Sequence, residues 1–261
     1  MNQLFGVCNL SLIPLRAEAS DKSEMVSQLL FGDHFKILET TDKWVRILTG
    51  YDDYEGWIDR KQFATIDLDT FVAFHNLHNV LGLSINQQVV KVLANETLNL
   101  VAGSNLPDGE NNQFHINGIE YRVQADCIKP DKANFDAQIE NAAKFYLNTP
   151  YLWGGRSAFG IDCSGFSQLV FKQFGIRLKR DAWQQAEQGE VVNFLQEAKP
   201  GDLAFFDNDE GRIIHVGIML NDSDIIHASG RVKIDTIDDQ GIYSEEFKKH
   251  THKLRIIKRV Y

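Results

Sequence analysis

The sequence predicts an all-β N-terminal half followed by an α+β C-terminal domain, and three observations carry that expectation. Short alternating apolar runs broken by Gly and Asp fill residues 1 to 128. Lys129-Pro130-Asp131 then interrupts the pattern, since proline cannot continue a strand ladder. After it come a helical stretch from Phe135 to Leu147, a second helix led by Cys163, and consecutive strand-like runs, which is an α+β order.

In the first part, Trp44-Val-Arg-Ile-Leu48 and Tyr54-Glu-Gly-Trp-Ile58 read as two strands joined through Gly50-Tyr51-Asp52-Asp53. Residues 66 to 128 continue in the same style. Val89-Val-Lys-Val-Leu93 and Gly118-Ile-Glu-Tyr-Arg-Val123 read as strands, with a loop at 103 to 109. In the second part, Phe166, Leu169, Val170 and Phe174 follow the helical period, so an amphipathic helix is expected, and Gly175 supplies the stop. Cys163 falls in its first turn. There the unpaired N–H groups and the positive dipole end favour a thiolate, so a lowered pKa is expected, with alkylation ahead of Cys8 and Cys127. Further on, Arg212 to Leu220 is an apolar run holding His215, and Ile225 to Gly230 holds His227. Cys, His, His is the order of a thiol, its base and a group that orients the base.

Composition bounds the function classes. The 261 residues suggest about two domains, and 43% apolar residues suffice for real cores. A net charge of −9 argues against nucleic acid and against unaided binding to an anionic wall or membrane. Met1 to Ser20 shows one basic residue, Arg16, and no apolar h-region, so a cytoplasmic protein is expected, or an exported one whose leader has been removed. Three cysteines are an odd count that suits a reducing compartment. Cys8 and Cys127, in apolar strand-like surroundings, read as packing residues. A zinc site of Cys163, His215 and His227 is chemically conceivable, but no Cys-x-x-Cys or His-x-x-x-His spacing supports it, and no metal or other cofactor is expected.

Four motifs then fall in order: Tyr151-Leu-Trp153-Gly154-Gly155, Asp162-Cys163-Ser164-Gly165, Pro200-Gly201-Asp202-Leu203 and His215-Val216-Gly217. Through them the region from about 132 to 261 resembles the NlpC-type papain-like cell-wall cysteine peptidases. The segment Glu55-Gly56-Trp57-Ile58 is similar to the closing strand of a bacterial SH3-like barrel. The resemblance implies a papain-like peptidase domain at 132–261 behind one or two small SH3-like barrels, at 1–65 and 66–128. It extends to the dipeptidyl-peptidase VI subgroup, which cleaves the γ-D-glutamyl to diamino acid bond of peptidoglycan stem peptides and whose partners are such muropeptides.

The resemblance places nucleophile, base and third polar residue on Cys163, His215 and His227. It implies an oxyanion donor in the Cys163 backbone N–H and a further contribution near Trp153 or Tyr151. Asp162 reads either as a helix cap or, with Glu24 and Tyr54 of the first barrel, as a receptor for the ammonium of an N-terminal L-Ala. Ser164 and Asp181-Ala182 would line the D-Glu side of the cleft. Two other classes stay open: a papain-like amidase or acyltransferase on another substrate, and a wall-binding module with a vestigial peptidase.

Overall fold

The computed structural model describes residues 3–76, 80–85, 87–107, 113–125 and 127–261. The chain divides into two compact units, Met1–Pro130 with Arg156–Ala158, and Asp131–Gly155 with Phe159–Tyr261.

The first unit opens with seven strands: β1 (Leu4–Val7), β2 (Leu12–Arg16), β3 (Met25–Leu30), β4 (His34–Thr40), β5 (Trp44–Thr49), β6 (Glu55–Asp59) and β7 (Ala64–Ile66). They form one antiparallel sheet in the order β3-β2-β6-β5-β4-β1-β7. The expected hairpin is β5–β6, registered Val45 with Ile58 and Ile47 with Gly56. Along β5 burial alternates, so Val45 and Ile47 point inward to join Cys8, Ile13, Leu15, Leu29, Phe35 and Ile58. The turn between them is tied by Thr49, whose hydroxyl bonds the Asp52 carboxylate and accepts the Tyr54 N–H at 2.8 Å.

Beyond it lies a helix that the alternating pattern did not announce, α1 (Leu68–His75). Asp67 caps it, accepting the Thr70 N–H at 2.8 Å, and Phe71 and Phe74 turn inward. Then follow β8 (Val80–Leu81), β9 (Gln87–Lys91), β10 (Glu96–Leu100), β11 (Gln113–Ile116), β12 (Ile119–Gln124) and β13 (Cys127–Ile128). Four of them make a sheet in the order β10-β9-β12-β11, and β13 pairs with β8. The β11–β12 turn needs left-handed backbone at both Asn117 (φ 50°) and Gly118 (φ 75°), which this dipeptide adopts readily. Of the loop expected at 103–109, Asp108 and Gly109 lie outside the described residues. Cys127 is exposed, so it is not the packing residue expected of it; its two-residue strand has both side chains at the surface.

One core joins the two halves of this unit. Phe5, Val7 and Ile66 from the first sheet, and Phe31 just after β3, cluster with Phe71, Leu81, Val89, Leu106, Phe114 and Tyr121. Phe31 is fully buried, with ring centroids 6.0 Å from Phe114 and 5.8 Å from Tyr121.

The second unit begins with α2 (Phe135–Lys144), one turn shorter than the periodicity suggests. The dipeptide strand β14 (Arg156–Ser157) counts with the first unit; β15 (Gly160–Ile161) leads into α3 (Cys163–Lys172) and the single turn α4 (Ala182–Gln185). Then come β16 (Glu190–Val192), β17 (Leu203–Asp207), β18 (Ile213–Met219), β19 (Asp224–Ser229), β20 (Arg231–Asp238), β21 (Gly241–Ser244) and β22 (Lys249–Arg259). The sheet order is β16-β22-β17-β18-β19-β20-β21, and β21 also pairs with β22, which closes six strands on themselves.

The expected amphipathic α3 is in fact buried on every side. Two of its polar side chains reach backbone acceptors: Ser167 donates to the Cys163 carbonyl at 3.2 Å, and Gln168 Nε2 donates to the Leu178 carbonyl at 3.0 Å. Phe166, Leu169 and Val170 are fully buried, and the Phe135 ring of α2 meets Phe171 at a tilt and Phe174 edge-on, with centroids 5.4 and 5.0 Å away. At the turn Pro200-Gly201-Asp202, the fully buried Asp202 takes a bidentate grip from Arg259 at 2.8 and 2.7 Å, fixing the end of β22 beside β17.

Removing an aromatic ring from a filled core costs about 3–5 kcal/mol. Phe31→Ala is therefore expected to lower the unfolding free energy of the first unit by that amount and to loosen β9–β12 along with β1–β7. Amide exchange resolved along the chain checks it.

Candidate active site

The segment around Cys163 is held by Asp162. Extended backbone at Asp162 (φ −94°, ψ 176°) starts α3, and its Oδ1 accepts the Gly165 N–H at 2.7 Å, a direct N-cap. Its Oδ2 accepts the Gly154 N–H at 2.9 Å, which ties down the Trp153-Gly154-Gly155 segment. The buried Arg180 guanidinium pairs with both carboxylate oxygens, through Nη1 at 3.1 Å and through Nη2, and also reaches Ser164 Oγ at 2.9 Å. The Asp162 charge thus meets a cation of its own domain, and the cap reading of this residue is the one the hydrogen bonds carry.

Cys163 follows at the first helical position, buried at 7% exposure. Its sulfur meets the backbone of Val216, the residue after His215, so the helix start faces β18. Burial pushes the thiol up to about 12, with the Asp162 charge adding to the rise and hydrogen bonds to the Val216 and Ser164 backbone opposing it. The expected lowering is therefore overturned: desolvation of the anion outweighs the helix-start field.

His215 is buried on β18, and its Nε2 lies 2.8 Å from Nδ1 of His227 on β19. The register explains the approach, since Gly217 pairs with His227. A Cβ at position 217 would come within 2.7 Å of the Ile225 side chain and 3.0 Å of His227 Cβ, so the glycine of His215-Val216-Gly217 lets the two strands place their histidines together. Behind, His227 Nε2 lies 3.1 Å from Asp235 Oδ2 on β20, and Lys233 Nζ lies 2.9 Å from the same oxygen.

A third histidine, His252 on β22, stacks on His215 with centroids 4.2 Å apart and planes 26° from parallel. Burial holds His215 well below the ordinary histidine range, and the neighbouring His227 and His252 reinforce this. Burial likewise lowers His227, against a pull upward from Asp235, and lowers His252 to about 4. All three imidazoles are neutral at pH 7. Ring nitrogens of His215, His227 and His252 lie within 4.8 Å of one another, the set that could take a metal ion. His215 Nε2 and His227 Nδ1 already share a hydrogen bond, so an ion taking those two nitrogens would replace it.

The remaining expected residues are placed as follows. Trp153 stands exposed at 60%. Ser164 is buried against Arg180. Asp181 leads α4, its N–H donating to Gln184 Oε1 at 3.0 Å, and Ala182 is buried just after it. Gln185 Nε2 bridges to the Ser164 carbonyl at 3.1 Å, which couples this turn to the nucleophile helix. Tyr151 has its phenol raised by burial, with Cys163 and Asp162 the next contributors, so it neighbours the thiol. Glu24 and Tyr54 belong to the first unit, where Glu24 is exposed and Tyr54 packs against the barrel core. The sequence reading passed over Arg180, Asp235 and His252. A lone arginine in a loop and single polar residues in alternating strands carry no motif; only the Lys233-x-Asp235 spacing, two charges on one face of a strand, was available as a signal.

Because Cys127 is exposed, Cys163 buried with a raised pKa and Cys8 fully buried, iodoacetamide at pH 7 should label Cys127 first and Cys8 last. Peptide mapping of a time course reads the order.

Comparison with known sequences and structures places this geometry. The profile of the NlpC/P60 family matches residues 148–254, and that of the bacterial dipeptidyl-peptidase SH3 domain matches residues 15–63. A γ-D-glutamyl-L-lysine dipeptidyl-peptidase of Bacillus cereus is 29% identical over 87% of this chain and 75% of its own. The protein of the same name from Bacillus subtilis is 30% identical over 77% of this chain and 71% of its own. A crystal structure of an NlpC/P60 family protein from Bacillus cereus superposes with a TM-score of 0.79 at 20% identity, covering 98% of this chain and 99% of that one, so the fold is shared.

Proposed function

We propose, for a chain that belongs to the NlpC/P60 family of peptidases, that it hydrolyses the γ-D-glutamyl to L-diamino acid bond of peptidoglycan stem peptides bearing a free N-terminal L-Ala, releasing L-Ala-D-Glu. The observation that carries this reading is the thiol at the start of a capped, buried helix facing a strand whose histidine is backed by a second. The names of the relatives support the choice of bond.

In this reading Cys163 Sγ adds to the amide carbonyl carbon as its proton passes to His215. Thiol and imidazole are both neutral beforehand, so the proton moves with attack and no resting ion pair is needed. The oxyanion is received by the Cys163 N–H in the first turn of α3, where backbone donors lack intrahelical partners. Collapse breaks the C–N bond, and His215 returns its proton to the departing amine. Water, deprotonated by His215, then cleaves the thioester and regenerates the thiol. His227 holds the far nitrogen of His215 throughout.

Recognition of a free amine is the second part of the proposal. With Asp162 taken up as the helix cap and partner of Arg180, Glu24 and Tyr54 are the residues the family resemblance suggests for it, and Ser164, Asp181 and Ala182 those it suggests for the D-Glu side. A site built for an ammonium rejects the neutral acylated analogue, because its acceptors are left without a partner. We assign the reaction to cytoplasmic salvage of wall peptides, supported by the odd count of three cysteines, which suits a reducing compartment.

Cys163→Ala is expected to abolish turnover of L-Ala-γ-D-Glu-L-Lys with little change in thermal midpoint. Wild type should cleave that tripeptide at least about a hundredfold faster, in kcat/KM, than its N-acetyl form, and Glu24→Gln should narrow the gap. Mass spectrometry of the products identifies the bond broken; cleavage of another bond, or equal cleavage of both peptides and of intact sacculi, would refute the substrate assignment. The low pKa of His215 also predicts that kcat/KM stays level down through pH 6.5 and falls only in more acid solution, where the base takes a proton.

A further inference from the structure

We infer that Asp235 is a positioning residue that sets the proton positions on both histidines, and so determines whether the nitrogen of His215 not bonded to His227 is free to accept the thiol proton. The inference rests on the Cys163–His215 chemistry proposed above and extends it by one strand. An ionised carboxylate only accepts hydrogen bonds. Asp235 Oδ2 lies 3.1 Å from His227 Nε2, so that nitrogen carries the hydrogen. His227 is neutral, which leaves a lone pair on its Nδ1. That lone pair faces His215 Nε2 at 2.8 Å, so the hydrogen there sits on His215. His215 is neutral too, and its remaining nitrogen, Nδ1, is therefore the unprotonated one. Two hydrogen bonds thus transmit the polarity of one carboxylate across three adjacent strands, β20, β19 and β18, to the base.

Without an acceptor at position 235 the pair has no reason to keep this direction. Reversed, His227 Nδ1–H would donate to His215 Nε2, and His215 Nδ1 would carry a hydrogen and could take no proton from the thiol. Three groups face Asp235: Lys233 from its own strand, His227 from β19, and the ring of His252 from β22 through its electrostatic influence. Burial raises the Asp235 carboxyl, but the hydrogen bonds from His227 and Lys233 together outweigh it and keep the group ionised.

Asparagine at 235 can turn its NH2 toward His227 Nε2 and impose the reversed direction, whereas glutamate keeps the acceptor. Wild type, Asp235→Asn and Asp235→Glu, each in the full chain and checked for an unchanged thermal midpoint, should be compared by 15N NMR of labelled histidines and by steady-state kinetics on L-Ala-γ-D-Glu-L-Lys. Expected are Nε2–H on His215 and His227 in wild type and in Asp235→Glu, and Nδ1–H on both in Asp235→Asn. With this, kcat should fall about 10²–10⁴-fold in Asp235→Asn, the contribution of a general base that can no longer take the proton, while KM stays within about twofold, and Asp235→Glu should recover most of the rate. A wild type with Nδ1–H on His215, or Asp235→Asn with wild-type tautomers whatever its kcat, would overturn the inference. The NMR arm needs no substrate, so failure of wild type to cleave this peptide would count against the reaction assigned above and not against Asp235.

Discussion

The site depends on one buried carboxylate. Asp162 caps the nucleophile helix through Gly165, anchors the Trp153–Gly155 segment through Gly154, and meets Arg180 in an ion pair that also holds Ser164. None of these interactions touches the reacting sulfur, yet together they determine where Cys163 stands. The geometry of a first-turn residue follows from the cap, and the cap is rigid because its charge is neutralised within the domain. A buried charge pair is weak evidence for net stability, since desolvation offsets its attraction. Its use here is placement.

The same burial shapes the electrostatics. A helix start favours a thiolate by field alone, but Cys163 is almost wholly removed from water and stands beside the Asp162 charge, so the thiol form prevails. His215 is pushed the other way, toward its neutral form, by the same loss of water and by two neighbouring rings. Two opposite shifts leave both the thiol and the imidazole in their neutral forms, the starting state of the reaction proposed above. The β-barrel supplies the other constraint: β18, β19 and β20 run adjacent and antiparallel, so His215, His227 and Asp235 line up across them as a single hydrogen-bonded row.

Much of this was legible in the chain. The helical period after Cys163, the Gly175 stop (φ 74°) and the isolated histidines in apolar runs describe α3, β18 and β19 closely, because local pattern and final burial agree there. What the pattern could not carry was context. Phe166 and Leu169 mark an apolar stripe, but that Ser167, Gln168 and Lys172 are buried too depends on elements packed against the opposite side of α3. The helix α1 was hidden between strand signals, though Asp67 and the Phe71/Phe74 spacing were present. Cys127 looked internal by its apolar neighbours and is exposed, because a two-residue strand pairs without a second layer over it. Arg180, Asp235 and His252 act through partners distant in sequence, and only the folded chain brings those partners into reach.

The dependence on Asp162 is tested most directly by a double-mutant cycle of Asp162→Asn and Arg180→Met, read in both chemical unfolding and kcat. Each single change should destabilise the second unit by about 3–5 kcal/mol, since it leaves one buried charge without its partner. The double change, with neither charge present, should recover much of that stability while kcat stays low, because the Gly154 and Gly165 anchors are weakened. Full activity in the double variant, or singles as stable as wild type, would contradict the view that this pair positions the nucleophile.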